Sequence, residues 1–153
     1  MVILDTDVLL LAYAFKRDVR QPVNQQFLAR VQSKSPAITV YNLMEILGQI
    51  SFNLAPNQLQ NWNLWLIGAY NLTVLWPVNP QEPISGMAFA DEIFEQPYQR
   101  MLRYGSAFMD TLILNLAERT PNAECFVTWN AKHFRGKSSL QVLTPEEFLT
   151  KNP

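Results

Sequence analysis

A chain of 153 residues is the size of one domain and can bury a full hydrophobic core. Hydrophobic residues make up 48%, which excludes a disordered chain, and a net charge of −1 excludes nucleic-acid binding driven by whole-chain charge, leaving only a local patch for such contact. One cysteine excludes an internal disulfide, no stretch approaches the roughly 20 apolar residues of a membrane span, and no basic segment precedes the N-terminal apolar run, so a soluble cytoplasmic protein without a signal peptide is expected.

Met1, Val2, Ile3 and Leu4 read as a strand buried on both faces, which stops on Asp5. Thr6 and Asp7 are N-cap residue types, and the apolar run over residues 8–15 predicts a helix ending near Lys16, Arg17 and Asp18. Residues 24–32 place Phe27, Leu28 and Val31 at helical spacing. Ser35 and Pro36 break that helix, and residues 37–40 read as a short buried strand. Residues 41–50 run helical, with Leu43, Met44, Leu47 and Ile50 as the apolar stripe. Pro56 fits the first turn of a helix carrying Leu59, Trp62, Leu66, Ile67 and Tyr70; core packing is the cheapest account of its tryptophans and of Trp76.

Residues 72–76 predict a strand that Pro77 stops. Residues 77–90 hold three of the ten prolines and read as loop, and residues 91–103, amphipathic but interrupted by Pro97, predict two short helices. A helix follows over residues 106–119, then a strand over 124–128 that contains Cys125, a turn or short helix over 130–134, and a last strand over 140–143. Thr144, Pro145, Glu146 and Glu147 have the signature of an N-capped terminal helix. Strands alternating with helices imply an α/β fold: a three-layer α/β/α sandwich around a parallel sheet of four or five strands, formed by residues 1–153 as a single domain.

That architecture gathers every strand's carboxyl end at one edge, where open α/β sheets put their ligands. Asp5 and Asp7 arrive there after the first strand, Glu45 in the first turns of the helix after the second, Asp110 early in the helix over 106–119, and Thr128 and Asn130 after the strand over 124–128. Each has a plain alternative. Asp5 ends a strand, Asp7 caps a helix, Glu45 faces solvent, Asp110 sits favourably near a helix N-terminus, and Asn130 caps a short helix. Together they form a carboxylate cluster, costly unless a cation neutralises it, and their hard oxygens suit Mg²⁺ or Mn²⁺.

The segment from Ile3 to Leu10 resembles the opening of PIN-domain nucleases, in which the first acid is followed by Thr or Ser and then Asn or Asp. Thr39 and Glu45 resemble that family's second block, the Asp110-Thr111-Leu112-Ile113-Leu114 run its third, the run from Thr128 to Phe134 its fourth, and the run from Leu143 to Leu149 its usual ending. The resemblance implies a metal-dependent endoribonuclease with a PIN-like fold. Small bacterial members resemble the toxin of a type II toxin–antitoxin pair (the VapC type), which brings an antitoxin and a homodimer into view as partners. Two positions depart from the commoner pattern: Asp7 stands where Asn is usual and adds charge, and Asn130 stands where many members have Asp and removes it, leaving less to hold a second metal.

For phosphodiester hydrolysis, Asp5 and Asp110 would hold the principal ion. Glu45 would be a further ligand or would position the attacking water. Thr6, Asp7, Thr128 and Asn130 would order the surrounding ligands. RNA contact would come from Lys16, Arg17 and Arg20 and from Lys132, His133, Arg135 and Lys137, with His133 a packing or phosphate residue rather than a general base. Two other readings stay open: a catalytically weakened PIN scaffold that binds RNA or a protein, and a haloacid-dehalogenase-like phosphotransferase with Asp5 as nucleophile and a second acid as proton donor.

Overall fold

The computed structural model describes residues 1–152. A five-stranded, all-parallel sheet has the order β3-β2-β1-β4-β5, with β1 at Val2–Leu4, β2 at Pro36–Thr39, β3 at Thr73–Leu75, β4 at Cys125–Val127 and β5 at Gln141–Leu143. The three central strands are buried along their whole length, which is why they read as continuous apolar runs. In register Val2 faces Cys125, Ile3 faces Phe126 and Leu4 faces Val127.

Side chains alternate across the sheet and so build two cores. Val2, Leu4, Ile38, Cys125, Val127 and Leu143 point to one face. They pack there with Val8 and Leu9 of α1 (Thr6–Ala14), Phe27 and Val31 of α2 (Gln21–Val31), Ile46 of α3 (Val40–Ser51) and Leu66 of α4 (Pro56–Tyr70). Ile3, Ala37, Phe126 and Val142 point to the other and meet Ile113, Leu114 and Ala117. The result is the expected α/β/α sandwich. Cys125 lies buried, and burial pushes its thiol up to about 11. Among the described residues no helix is long and apolar enough to cross a membrane.

Three expectations need correction. The first helix begins at Thr6, not residue 8, because the cap is Asp5, whose carboxylate accepts the Thr6 N–H at 2.8 Å. The second begins at Gln21, since Pro22 in its first turn gives up an N–H that has no intrahelical partner there. The third concerns residues 77–103. The last five residues of the supposed loop are helical, and Pro97 separates nothing: α5 (Gly86–Ala90) passes through a π turn at Asp91–Glu95 into α6 (Gln96–Tyr104). Ser85 caps the run by accepting the Ala88 N–H at 3.1 Å. The wider turn also lets Gln96 N–H reach Asp91 just before the proline, so the helix continues across it.

This long helical arm lies against α7 (Phe108–Arg119) and is held by polar clasps. Buried Glu92 accepts from Tyr41 Oη at 2.6 Å and pairs with Arg119. Arg100 reaches Asn115 at 2.6 Å, the Lys137 carbonyl at 2.6 Å, and Glu118. The short α8 (Ala131–Phe134) and terminal α9 (Pro145–Lys151) complete the chain, the latter with the expected Thr144–Glu147 capping box.

Candidate active site

The strand order turns around at β1: β2 and β3 lie to one side, β4 and β5 to the other. Connections leaving β1 and β4 diverge there and open a crevice beyond the strand ends. Asp5 follows β1 and Thr128 follows β4 at this edge. Glu45 sits in the second turn of α3, which leaves β2 from the same edge. Because α7 runs back to the start of β4, its first turn carries Asp110 to that edge too.

Two hydrogen-bonded groups form. In the first, Thr6 Oγ1 donates to Glu45 Oε2 at 2.5 Å and accepts from Asn42 Nδ2 at 3.1 Å. Asn42 is fully buried, and its orientation is fixed because Oδ1 accepts from the Thr39 N–H (3.1 Å) and hydroxyl (2.7 Å). Its Nδ2 also reaches Asp5 Oδ1 at 3.4 Å. In the second, Asp7 Oδ2 accepts from Thr128 Oγ1 (3.0 Å) and the Asn130 N–H (3.1 Å), and Oδ1 from the Trp129 N–H (3.2 Å). Asp5 lies between the groups. Burial first, then the carboxylate of Asp7 and that of Glu45, hold its pKa well above the usual carboxylate range. Burial also raises Asp7, against the opposing hydrogen bonds and the charge of Arg20.

Asp110 is engaged elsewhere: its Oδ2 lies 3.1 Å from His133 Nε2. The structure thus brings Asp5, Thr6 and Glu45 together, and Asp7 with Thr128 and the backbone of Asn130. Asp110 stands at the same edge in a separate pair. Among the described residues no three His, Cys, Asp or Glu side chains form a ready-made metal cage. Asn130 is exposed, and its side chain makes no cap bond to α8. It lines a shallow depression of about 390 Å³ with Lys132, His133 and Lys137.

Sequence reasoning overlooked one residue of this edge, Asn42, and one pairing, that of His133 with Asp110. Asn42 had one signal available, its spacing from Thr39, which is that of a capping box with Asn in place of Glu or Gln. Nothing in the sequence links His133 to Asp110, 23 positions away. The basic set divides as well. Arg20 is clasped by Asp18 and Arg135 pairs with Glu147, whereas Lys16, Arg17 and Lys132 have no ion pair among the described residues. Of the tryptophans, Trp62 is half-buried against Tyr13, but Trp65 and Trp76 are 52% and 49% exposed.

No family model matches the chain, and no curated protein matches it by sequence. Solved structures do. A chain of VapBC2 from Rickettsia felis bound to a DNA fragment from its promoter aligns with a TM-score of 0.65 at 20% identity, over 94% of this chain and 98% of that one. A chain of a toxin–antitoxin complex from Klebsiella pneumoniae aligns at 0.62 and 20%, over 95% and 98%. One from DNA-bound VapBC of Salmonella typhimurium aligns at 0.56 and 19%, over 94% and 97%. The chain therefore shares nearly its whole fold with members of toxin–antitoxin complexes, a PIN-like α/β/α architecture.

Proposed function

We propose that this protein is a metal-dependent endoribonuclease of the toxin kind, working at the edge of the sheet where Asp5, Glu45 and Asp110 arrive. The observation that carries the reading is Asp5: a buried carboxyl whose ionisation is opposed by burial and by two neighbouring carboxylates. Such an arrangement destabilises the empty fold, and a divalent cation would relieve it. The donors are hard oxygens, the type that Mg²⁺ and Mn²⁺ take. Asp5 and Asp110 would hold the ion, with Asp110 turning from His133, and Glu45 would serve as a further ligand or position water. When bound, the ion supplies charge stabilisation to the phosphate and acidifies water.

The chain's own groups do the rest. Asn42 can only donate to Thr6 through Nδ2, so the Thr6 hydroxyl is left to donate to Glu45, fixing the carboxylate that would orient the attacking water. Thr128 and the amides of Trp129 and Asn130 hold Asp7. Lys132 and Lys137, beside Asn130, offer phosphate contacts.

The neighbouring structures are complexes, which favours an antitoxin here too. A groove of about 670 Å³ lined by Leu10, Tyr13, Phe15, Ile50, Trp62 and Trp65 would take an apolar helix of such a partner. The outer face of the long helical arm, with Met87, Phe94, Tyr98 and Leu102 exposed, would suit a second copy of the chain.

Metal linkage tests the reading without any substrate. Millimolar Mn²⁺ should raise the melting temperature over that in EDTA, by several degrees if it saturates the site about a hundredfold. Asp110→Asn should fold and lose most of that rise. An unmoved melting curve for the wild type would remove the metal site.

A further inference from the structure

Beside Asp7, the Arg20 guanidinium lies over the indole of Trp129, its central carbon 5.5 Å from the ring centroid. Neither partner is free to wander. Trp129 donates Nε1 to Asn24 Oδ1 at 2.8 Å, and fully buried Asn24 donates in turn to the Val8 carbonyl at 2.9 Å. The Trp129 backbone N–H is itself bonded to Asp7, so the ring is tied to the carboxylate edge at both ends. Arg20 is gripped by Asp18, which accepts from its backbone N–H (2.9 Å), Nε (2.9 Å) and Nη2 (2.7 Å). That grip holds the Asp18 carboxyl down at about 2, so the clasp is intact at any physiological pH.

The clasp decides what Arg20 can offer. Its Nε–Nη2 edge, one of the two that can grip a phosphate in bidentate fashion, is already filled by a carboxylate, which leaves the Nη1 end to donate. The Arg20 side chain is nonetheless 46% exposed. Besides that end, what remains open is a planar, charge-delocalised face braced on an aromatic ring, the kind of surface on which unstacked RNA bases lie. Turn stabilisation alone would explain the Asp18 contact; it does not call for a buried asparagine to fix the indole underneath.

We propose that the Arg20–Trp129 stack is the platform for a nucleobase next to the bond that is cut. This inference rests on the ribonuclease reading, and the experiment separates the two. Short single-stranded RNAs, each with one nucleotide replaced by an abasic one, are titrated into the protein in EDTA, so that nothing is cleaved, and binding is followed by fluorescence anisotropy. For the wild type, one abasic position should weaken binding by roughly tenfold, the scale of a base-stacking contact. Arg20→Lys keeps the charge and loses the plane; it should bind the intact RNA roughly tenfold more weakly and show no further loss at that position. Arg20→Ala should behave the same way if it folds. Should Arg20→Lys bind like the wild type, or keep its abasic sensitivity, the platform is overturned while the nuclease reading stands. If the wild type neither binds nor, with Mn²⁺, cuts RNA, both fall together.

Discussion

Replacing Asp5 by asparagine is expected to abolish RNA cleavage and, in the same molecule, to stabilise the metal-free fold. The two effects share a cause. In the empty protein, burial and the neighbouring carboxylates oppose ionisation of Asp5 and lift its pKa well above the ordinary 3.8. Between 3.8 and that raised value the folded chain holds a proton the unfolded chain has released, so stability falls as pH rises through this window. Asparagine stays neutral and can still cap α1, since its side-chain oxygen can accept the Thr6 N–H. At pH 7 in EDTA the variant should be more stable than the wild type and melt at a higher temperature. The gain should shrink as the pH is lowered towards 4. Cleavage should drop by a factor of about 100 to 1,000 or more, the scale on which lost charge stabilisation is felt. A variant less stable than the wild type at pH 7 in EDTA would show that Asp5 is not held against its own ionisation.

Asn42→Ala should act in the opposite direction. It leaves the buried Thr39 hydroxyl and N–H without their acceptor and the Thr6 hydroxyl without its donor. Orphaning groups of this kind costs about 1–3 kcal/mol each, partly recovered by relaxation, so a loss of about 3 kcal/mol is expected in equilibrium urea unfolding. Cleavage should fall too, because Glu45 is held through Thr6. A loss below about 0.5 kcal/mol would mean that Asn42 does not carry the network.

The contrast between these residues marks what could be read from the chain. The strands were legible because β1, β2 and β4 are buried on both faces and therefore apolar without interruption, and because each hands over to a helix or turn through Asp5, Thr39 or Thr128. Parallel topology then put the acids at one edge by connectivity alone. The arm over residues 86–104 was legible as helix only over 91–103; its first turn and its continuity were not, for a physical reason. Gly86 and Pro97 are breakers in isolation, and only the Ser85 cap, the π turn and the clasps to α7 make a helix of them. Pairs such as Asp110 with His133, or Arg20 with Trp129, join segments distant in sequence, so no local pattern encodes them. Asp7 sits on the boundary: its place at the start of α1 was readable, though as a cap rather than in the first turn, and its three donors from the segment after β4 were not.

The central claim is that this edge cuts RNA with a divalent cation, and one assay tests it most directly. Purified protein is incubated with single-stranded and transfer-RNA-like substrates in Mn²⁺ or Mg²⁺, in EDTA, and as the Asp110→Asn variant with its fold verified by circular dichroism. Discrete internal cuts with metal, none in EDTA and none with Asp110→Asn, are the predicted result. Wild-type protein that leaves both RNAs intact in either metal, or cuts equally well in EDTA, would contradict it.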